Sequence, residues 1–491
     1  MDTPQQPPEP VVEDPSGLVA KLRALGRADG RGERGGFRKQ AADFRTRVFA
    51  STTFFRLWLA QATTSLGDWL SFLAILTLAV RIGAGGGNPG TSVGLVVAAR
   101  IVPGFFFSAA AGVLVDRMDR KQVMVVTTVL RALVVAALPF VETVRELVFA
   151  SLVLEVATLM TSSAKEATVP NLVPANRLAS ANSLSLAAAY GTFPVASLLY
   201  AFLALVARWL GSISALDALL TSQEAVAFYV AVACYLAAAF MISRLVIPKD
   251  HVRVHDQESI DLGQVFTEIK EGWHYAFLNP VVRAVNLGLA TGLIGGGMLI
   301  PLGQIFSEEI LGAGAGGYGL FVTALGLGVG VGIIGVSARQ SSINKPRAFV
   351  ASVFGAGATL LVGASMSTLA LAALAIGVVG VFAGRVYVLG FTLLHENVDD
   401  ELRGRVFVGL YTLVRLCVLL SMAIGPMLQD LLDDVSNALV GREIQLGVAI
   451  AVPGVRLTLW FAGLIMLAAG ALAAASMRQA QRLRPSETAA P

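Results

Sequence analysis

The sequence predicts an all-α integral membrane protein whose twelve spanning helices form two bundles of six. Three observations predict it. Of 491 residues, 55% are hydrophobic and only 14% charged, too few charges to clothe a water-soluble surface. The apolar runs reach the ~20 residues a helix needs to cross a bilayer. They do not alternate, which excludes the roughly ten-residue alternating strands of a membrane barrel. Helices are then the remaining way to satisfy every backbone polar group in lipid. Finally, the runs fall into two groups of six around one long polar interval.

Residues 1–50 read as a cytoplasmic tail, because they hold no apolar run resembling a signal peptide. Residues 1–20 carry the acids Asp2, Glu9, Glu13 and Asp14 with no base, and their proline content predicts disorder. Residues 21–47 are basic, suited to anionic headgroups or to solvent beside the first span. Spans follow at 54–80, 91–115, 122–141, 146–169, 179–209 and 224–246, making residues 51–246 the N-terminal bundle. In the interval 247–280, Leu262, Val265, Phe266, Ile269, Trp273 and Phe277 recur at helical spacing, so an amphipathic cytoplasmic linker is expected. The C-terminal bundle, residues 281–477, holds spans at 281–305, 316–337, 347–364, 367–394, 404–430 and 454–477, and residues 478–491 form a second cytoplasmic tail.

Loop charge sets the orientation. With the N-terminus inside, seventeen Lys and Arg fall in inner loops and the C-terminal tail, against Arg81, Arg145, Arg208, Arg442 and Arg456 outside. The net charge of +4 therefore reads as a topological signal, and no nucleic-acid partner is expected. Cys234 and Cys417 lie in apolar runs and read as small core residues. His251, His255, His274 and His395 lack the spacing of a metal site, so neither metal nor cofactor is expected. The Gly295–Gly297 run and the alternating Gly326, Gly328, Gly330 and Gly332 sit in spans, where small residues let helices approach closely. No Ser/His/Asp grouping or carboxylate pair suggests an enzyme.

An internal repeat links the halves: NLVPANR from Asn171 to Arg177 and NVDDELR from Asn397 to Arg403 occupy equivalent inner loops. After the second span the chain reads GVLVDRMDRK, Gly112 to Lys121. This resembles the G-x-L-a-D-R-x-G-R-[KR] loop of the major facilitator superfamily, with Asp119 where that family has Gly. Gly112 is expected to allow close helix approach, Asp116 to accept hydrogen bonds at a helix N-terminus, and Arg117, Arg120 and Lys121 to hold the loop at the inner face. The resemblance implies a loop that latches the two bundles in one of two alternating conformations. The first span, FFRLWLAQATTSLGDWLSFLAI, and the segment KEATVPNLVPANRLASANSLS resemble the branch containing macrolide-efflux and enterobactin-exporter proteins. They are similar also to actinobacterial members, some fused to a thymidylate kinase. No GxxxxGK[ST] phosphate loop occurs here, so no fused kinase is expected.

Charges near mid-membrane cost about 2.5–3.5 kcal/mol on insertion scales, which makes each one a functional candidate. They are Asp68, Arg100, Arg131, Glu155, Arg385 and Arg415. The resemblance places Asp68, Glu155 and Arg385 in a central cavity, with Arg100, Arg131 and Arg415 behind or beside them. Asp68 or Glu155 would exchange the coupling proton; the bland alternative is permanent pairing with Arg100 and Arg131. Arg385 and Arg415 suit an anionic substrate, a carbonyl or a lipid phosphate. Trp69, Tyr190, Phe193 and Tyr387 line an apolar site or simply pack. The expected activity is proton-coupled efflux of a small amphipathic, drug- or siderophore-like molecule by alternating access. It would be performed by a single chain in a bacterial cell membrane, with protons, substrate and membrane lipids as partners. Lipid or lysophospholipid flipping and a non-transporting scaffold are the alternatives.

Overall fold

A chain this apolar forms helices wherever its run is unbroken, and it breaks where a polar side chain or proline can satisfy or remove a terminal backbone group. The computed structural model describes residues 48–86, 88–174, 177–210, 224–246, 277–338, 343–398, 400–441, 443–445 and 449–483. Helix α1 (Thr52–Gly85) starts where Ser51 Oγ accepts from the Phe54 N–H at 3.0 Å. Helix α2 (Pro89–Asp116) has proline in its first turn, where the missing N–H costs nothing. Helix α3 (Arg120–Ala137) is capped by Asp119, and α4 (Val144–Thr168) by a reciprocal Thr143–Glu146 capping box.

Helix α5 comes in two pieces, Leu178–Gly191 and Phe193–Leu210. They part at Thr192, two residues before Pro194, which cannot donate to the preceding turn. Helix α6 is Ala225–Ser243. Helix α7 runs Pro280–Asn286, passes through a π-helical turn at Leu287–Thr291 and continues as Gly292–Glu309. Then follow α8 (Gly314–Ser337), α9 (Lys345–Ser365), α10 (Leu369–Asn397), α11 (Asp400–Val440) and α12 (Gly454–Leu483).

Among the described residues, eleven of these helices are long and apolar enough to cross a membrane, and α2 is the twelfth helix. The protein is a multi-pass membrane protein whose described residues are helical apart from loops and one antiparallel pair of three-residue strands, Glu443–Gln445 and Ala449–Ala451, between α11 and α12. Helix α11 runs past its predicted end at 430 to Val440. That last stretch is amphipathic: Leu431, Val435 and Leu439 are exposed while buried Ser436 donates to the Val452 carbonyl at 2.6 Å. The expected linker, 247–280, lies outside the described residues except for its last four; the N-terminal tail to residue 47 and residues 484–491 lie outside as well.

Packing follows the small residues. Helix α6 lies against α1 and α3, and α4 against α2 and α3; α10 lies against α8 and α9, and α12 against α7 and α9. The α8–α10 seam is glycine on backbone: a Cβ at Gly328 or Gly332 would meet main-chain atoms of Gly377 and Val381, and one at Gly380 or Gly384 would meet those of Leu325 and Val329. Of the alternating glycines, Gly328 and Gly332 are therefore contact surface in this seam and Gly326 meets Pro194 of α5, whereas a Cβ at Gly330 would meet nothing within 4 Å among the described residues. One loop base is placed differently from expectation. Arg456 is not in an outer loop but 1% exposed in the first turn of α12. Its Nε donates to Ala364 O at 3.0 Å and its Nη2 to Met366 O at 3.2 Å, taking carbonyls left open at the end of α9.

Candidate functional site

Two helices carry polar faces at three- and four-residue spacing. On α1 they are Gln61, Thr64, Ser65 and Asp68; on α4 they are Glu155, Thr158, Ser162, Lys165 and Glu166. A helix polar along one stripe in an apolar chain must turn that stripe toward water or toward partners. Both stripes line one cavity of about 790 Å³. Arg100, Ile101 and Gly104 of α2, Met124 and Arg131 of α3, Ala189 and Tyr190 of α5 and Ile242 of α6 complete that side, and Val414, Arg415 and Val418 of α11 face it. The cavity extends from Asp68 and Arg131, about halfway along their helices, to Lys165 and Glu166 near the Gly112–Lys121 loop.

Five of the six singled-out charges thus come together: Asp68, Arg100, Arg131, Glu155 and Arg415. Arg100, Arg131 and Arg415, expected behind or beside the acids, stand beside them on the cavity wall. Arg415 is exposed rather than buried. Arg385 is not among the lining residues. Its helix is held against α8 by Gly380 and Gly384, its guanidinium lies 5.9 Å from the centre of the Phe382 ring, and its Nε is buried without a hydrogen-bond partner among the described residues. Of the aromatics, Trp69 and Tyr190 line the cavity, and Phe193 packs edge-on against Trp69 with ring centres 4.5 Å apart. Tyr387 is exposed and packs on Phe391.

The two acids have unlike surroundings. Asp68 forms an ion pair with Arg131, whose side chain is 2% exposed. The Tyr235 hydroxyl of α6 donates to Asp68 Oδ1 at 2.8 Å and sits 3.1 Å from Ser71 Oγ. The Tyr235 ring also lies under the Arg131 guanidinium at 4.5 Å, so one side chain braces both partners. Glu155 lies against Gly104 and within electrostatic reach of Arg100 and Arg131. It makes no hydrogen bond or ion pair among the described residues.

Tyr235 was not singled out from sequence, since an isolated tyrosine in an apolar helix carries no signal. Two further donors on α1, Trp58 and Gln61, were missed as well: together with Trp69 they reach the Leu184, Ser185 and Ala189 carbonyls of α5, at 2.7, 2.9 and 2.8 Å for Trp58, Gln61 and Trp69. The polar stripes around Asp68 and Glu155 were legible in spacing and would have named most of the wall.

The sequence profile of the Major Facilitator Superfamily matches residues 57–426, well over half of the chain. The chain belongs to this superfamily. No curated protein matches its sequence. Solved structures with the same fold include a bacterial homologue of the human lysosomal transporter Spinster, inward-facing and unoccupied, at TM-score 0.66 and 13% identity over 88% of this chain and 98% of that one. A D-xylose–proton symporter aligns at TM-score 0.60 and 15% identity over 86% and 97%. The nucleoside transporter NupG aligns at 0.59 and 13% over 86% and 99%. At such identities these neighbours establish the fold alone.

The signature loop of this facilitator then explains its own irregularity. Asp119, in place of the usual glycine, accepts from the Gln122 N–H at 3.0 Å and so caps α3. Arg120 donates to the Ala167 carbonyl at 2.7 Å, tying the loop to the end of α4. Among the described residues, nothing lies within 4 Å of where a Gly112 Cβ would sit. Arg117 is exposed and Lys121 half-buried, and the side chain of Asp116 lies outside the described residues.

Proposed function

We propose that this facilitator exports a small amphipathic molecule in exchange for protons, and that Glu155 rather than Asp68 carries the exchange. The observation behind the assignment is the contrast between the two acids: Asp68 is held by Arg131 and Tyr235, whereas Glu155 lines the cavity and makes no hydrogen bond or ion pair among the described residues. A carboxylate fixed by a buried guanidinium and a hydroxyl gains nothing by taking a proton, because doing so strands the guanidinium. A carboxylate on a wetted wall can exchange a proton for a cationic or hydrogen-bond-donating group of a ligand. The apolar patches of Leu57, Trp69, Ile101, Leu159 and Val418 suit the body of such a molecule, and Arg100 and Arg415 suit acceptor groups on it. The resemblance of the first span and of the Lys165–Ser185 segment to the macrolide-efflux and enterobactin-exporter branch supports the outward direction. Lipid flipping would use Arg385 and Arg415 on one path, and only Arg415 reaches the cavity.

Uptake of a fluorescent drug panel into inverted vesicles, with and without an imposed pH gradient, tests the reading. Gradient-driven accumulation is expected with the wild type and lost with Glu155→Gln. Equal gradient dependence in wild type and Glu155→Gln would overturn the assignment, and no gradient dependence for any compound would overturn the proton coupling.

A further inference from the structure

The cavity reaches the Gly112–Lys121 end, and the two sets of helices close on each other at the opposite end. There α5 meets α8 through Gly319 against Ala201, Gly326 against Pro194, and a Thr323–Ser197 hydroxyl contact of 3.3 Å. Helix α2 meets α11 where Gly90 and Gly94 leave no room for a Cβ against Pro426, Gln429, Ala423 and Met427. This second seam also carries a carboxylate, Asp430.

A helix begins with four N–H groups that no carbonyl of its own can take. At the start of α2, Asn88 occupies the capping position but makes no side-chain capping bond, and Pro89 has no N–H to offer. The carboxylate of Asp430, from α11, does the capping across the seam. Its Oδ1 accepts from the Gly90 N–H at 3.0 Å, and its Oδ2 accepts from both the Thr91 N–H and the Thr91 hydroxyl at 2.6 Å. The glycines are what allow this, because a side chain at position 90 would collide with the α11 backbone and with the carboxylate itself.

We infer that Asp430 is a releasable pin: it holds this end shut by capping α2 from α11, and its release accompanies the opening of this end. A carboxylate on a helix N-terminus is strong, directional and charge-assisted. It is also exchangeable, since Asp430 is only half-buried and water can replace either partner as the helices part. The start of α2 has no local substitute, so its stability is tied to the docking of α11. Packed glycine and alanine seams supply complementarity, whereas the pin sets how strongly the closed arrangement is favoured. This inference does not depend on the substrate or on the coupling ion.

Spin labels at exposed Ala84 and Leu439 span the seam, in a full-length chain with Cys234 and Cys417 replaced by alanine and reconstituted in lipid nanodiscs. The parent is expected to show one dominant short distance. Asp430→Ala is expected to raise the ratio of a longer to the shorter population by about tenfold, the effect of losing a charged hydrogen-bond set. Thr91→Val, which removes one of three bonds, is expected to raise it less. Asp430→Asn keeps the size and one acceptor oxygen but loses the charge and the second acceptor, so it is expected to raise the ratio by less than Asp430→Ala; it carries the test if the alanine variant does not fold. Unchanged distance distributions in the aspartate variants, with or without a lower melting temperature, would reduce Asp430 to a local helix cap and overturn the inference.

Discussion

Asp68→Asn provides the sharpest test of how the cavity is built. The substitution keeps the shape of the side chain and removes its charge, leaving the Arg131 guanidinium, 2% exposed, without its ion-pair partner. Breaking a buried pair by removing one partner costs about 3–5 kcal/mol, since the surviving charge stays desolvated. The Asp68 side chain is 28% exposed, so some water reaches the site and the lower end, about 3 kcal/mol, applies. At ~2 °C per kcal/mol for a unit of about two hundred residues, the melting temperature should fall by roughly 6 °C. The double variant Asp68→Asn/Arg131→Met removes both charges and should recover more than half of that loss. Differential scanning fluorimetry on purified protein, applied to both single variants and the double, measures the coupling between the two positions. Glu155→Gln, which breaks no hydrogen bond or ion pair among the described residues, should shift the melting temperature by less than ~2 °C. Additive losses at Asp68 and Arg131, or an Asp68→Asn protein as stable as the parent, would refute a structural ion pair at the head of the cavity.

Two further changes probe the frame around the site. Asp119→Ala should cost about 1 kcal/mol by removing the α3 cap, while Asp119→Gly, which restores the usual residue of the superfamily loop, should cost only a few tenths; denaturation of the purified variants ranks the two. Gly380→Val should prevent accumulation of folded protein, because its Cβ would overlap the Leu325 carbonyl in a seam with no side chain able to yield; size-exclusion profiles after detergent extraction read this directly.

The closure at the end away from the cavity has a consequence for transport. Alternating access requires that end to open while the Gly112–Lys121 end shuts. Among the described residues nothing lies within 4 Å of a Cβ at Gly112, and Arg120 donates to the Ala167 carbonyl. The cavity reaches toward that loop.

Chain chemistry alone determined that the protein is helical and lies in a bilayer, because backbone groups in lipid leave no other choice for unbroken apolar runs. It also located the spans, since breaks fall where Ser51, Thr143, Asn344 or a proline can deal with terminal N–H groups. It named the costly charges, since expense in lipid is a property of the residue type. Which charges meet was decided only by tertiary structure. Asp68, Arg131 and Tyr235 come from three helices, and nothing in their spacing says that one tyrosine braces both ions. Arg385 and Arg415 look alike in sequence, yet the glycine seam that fixes α10 against α8 keeps the first off the cavity wall, while α11 presents the second to it. Asp430 in the sequence is one acid near a helix end; its role as the cap of another helix exists only because two glycines let the helices touch. Spacing along a helix says which residues share a face, but what that face meets depends on contacts between segments hundreds of residues apart, and those are set by packing.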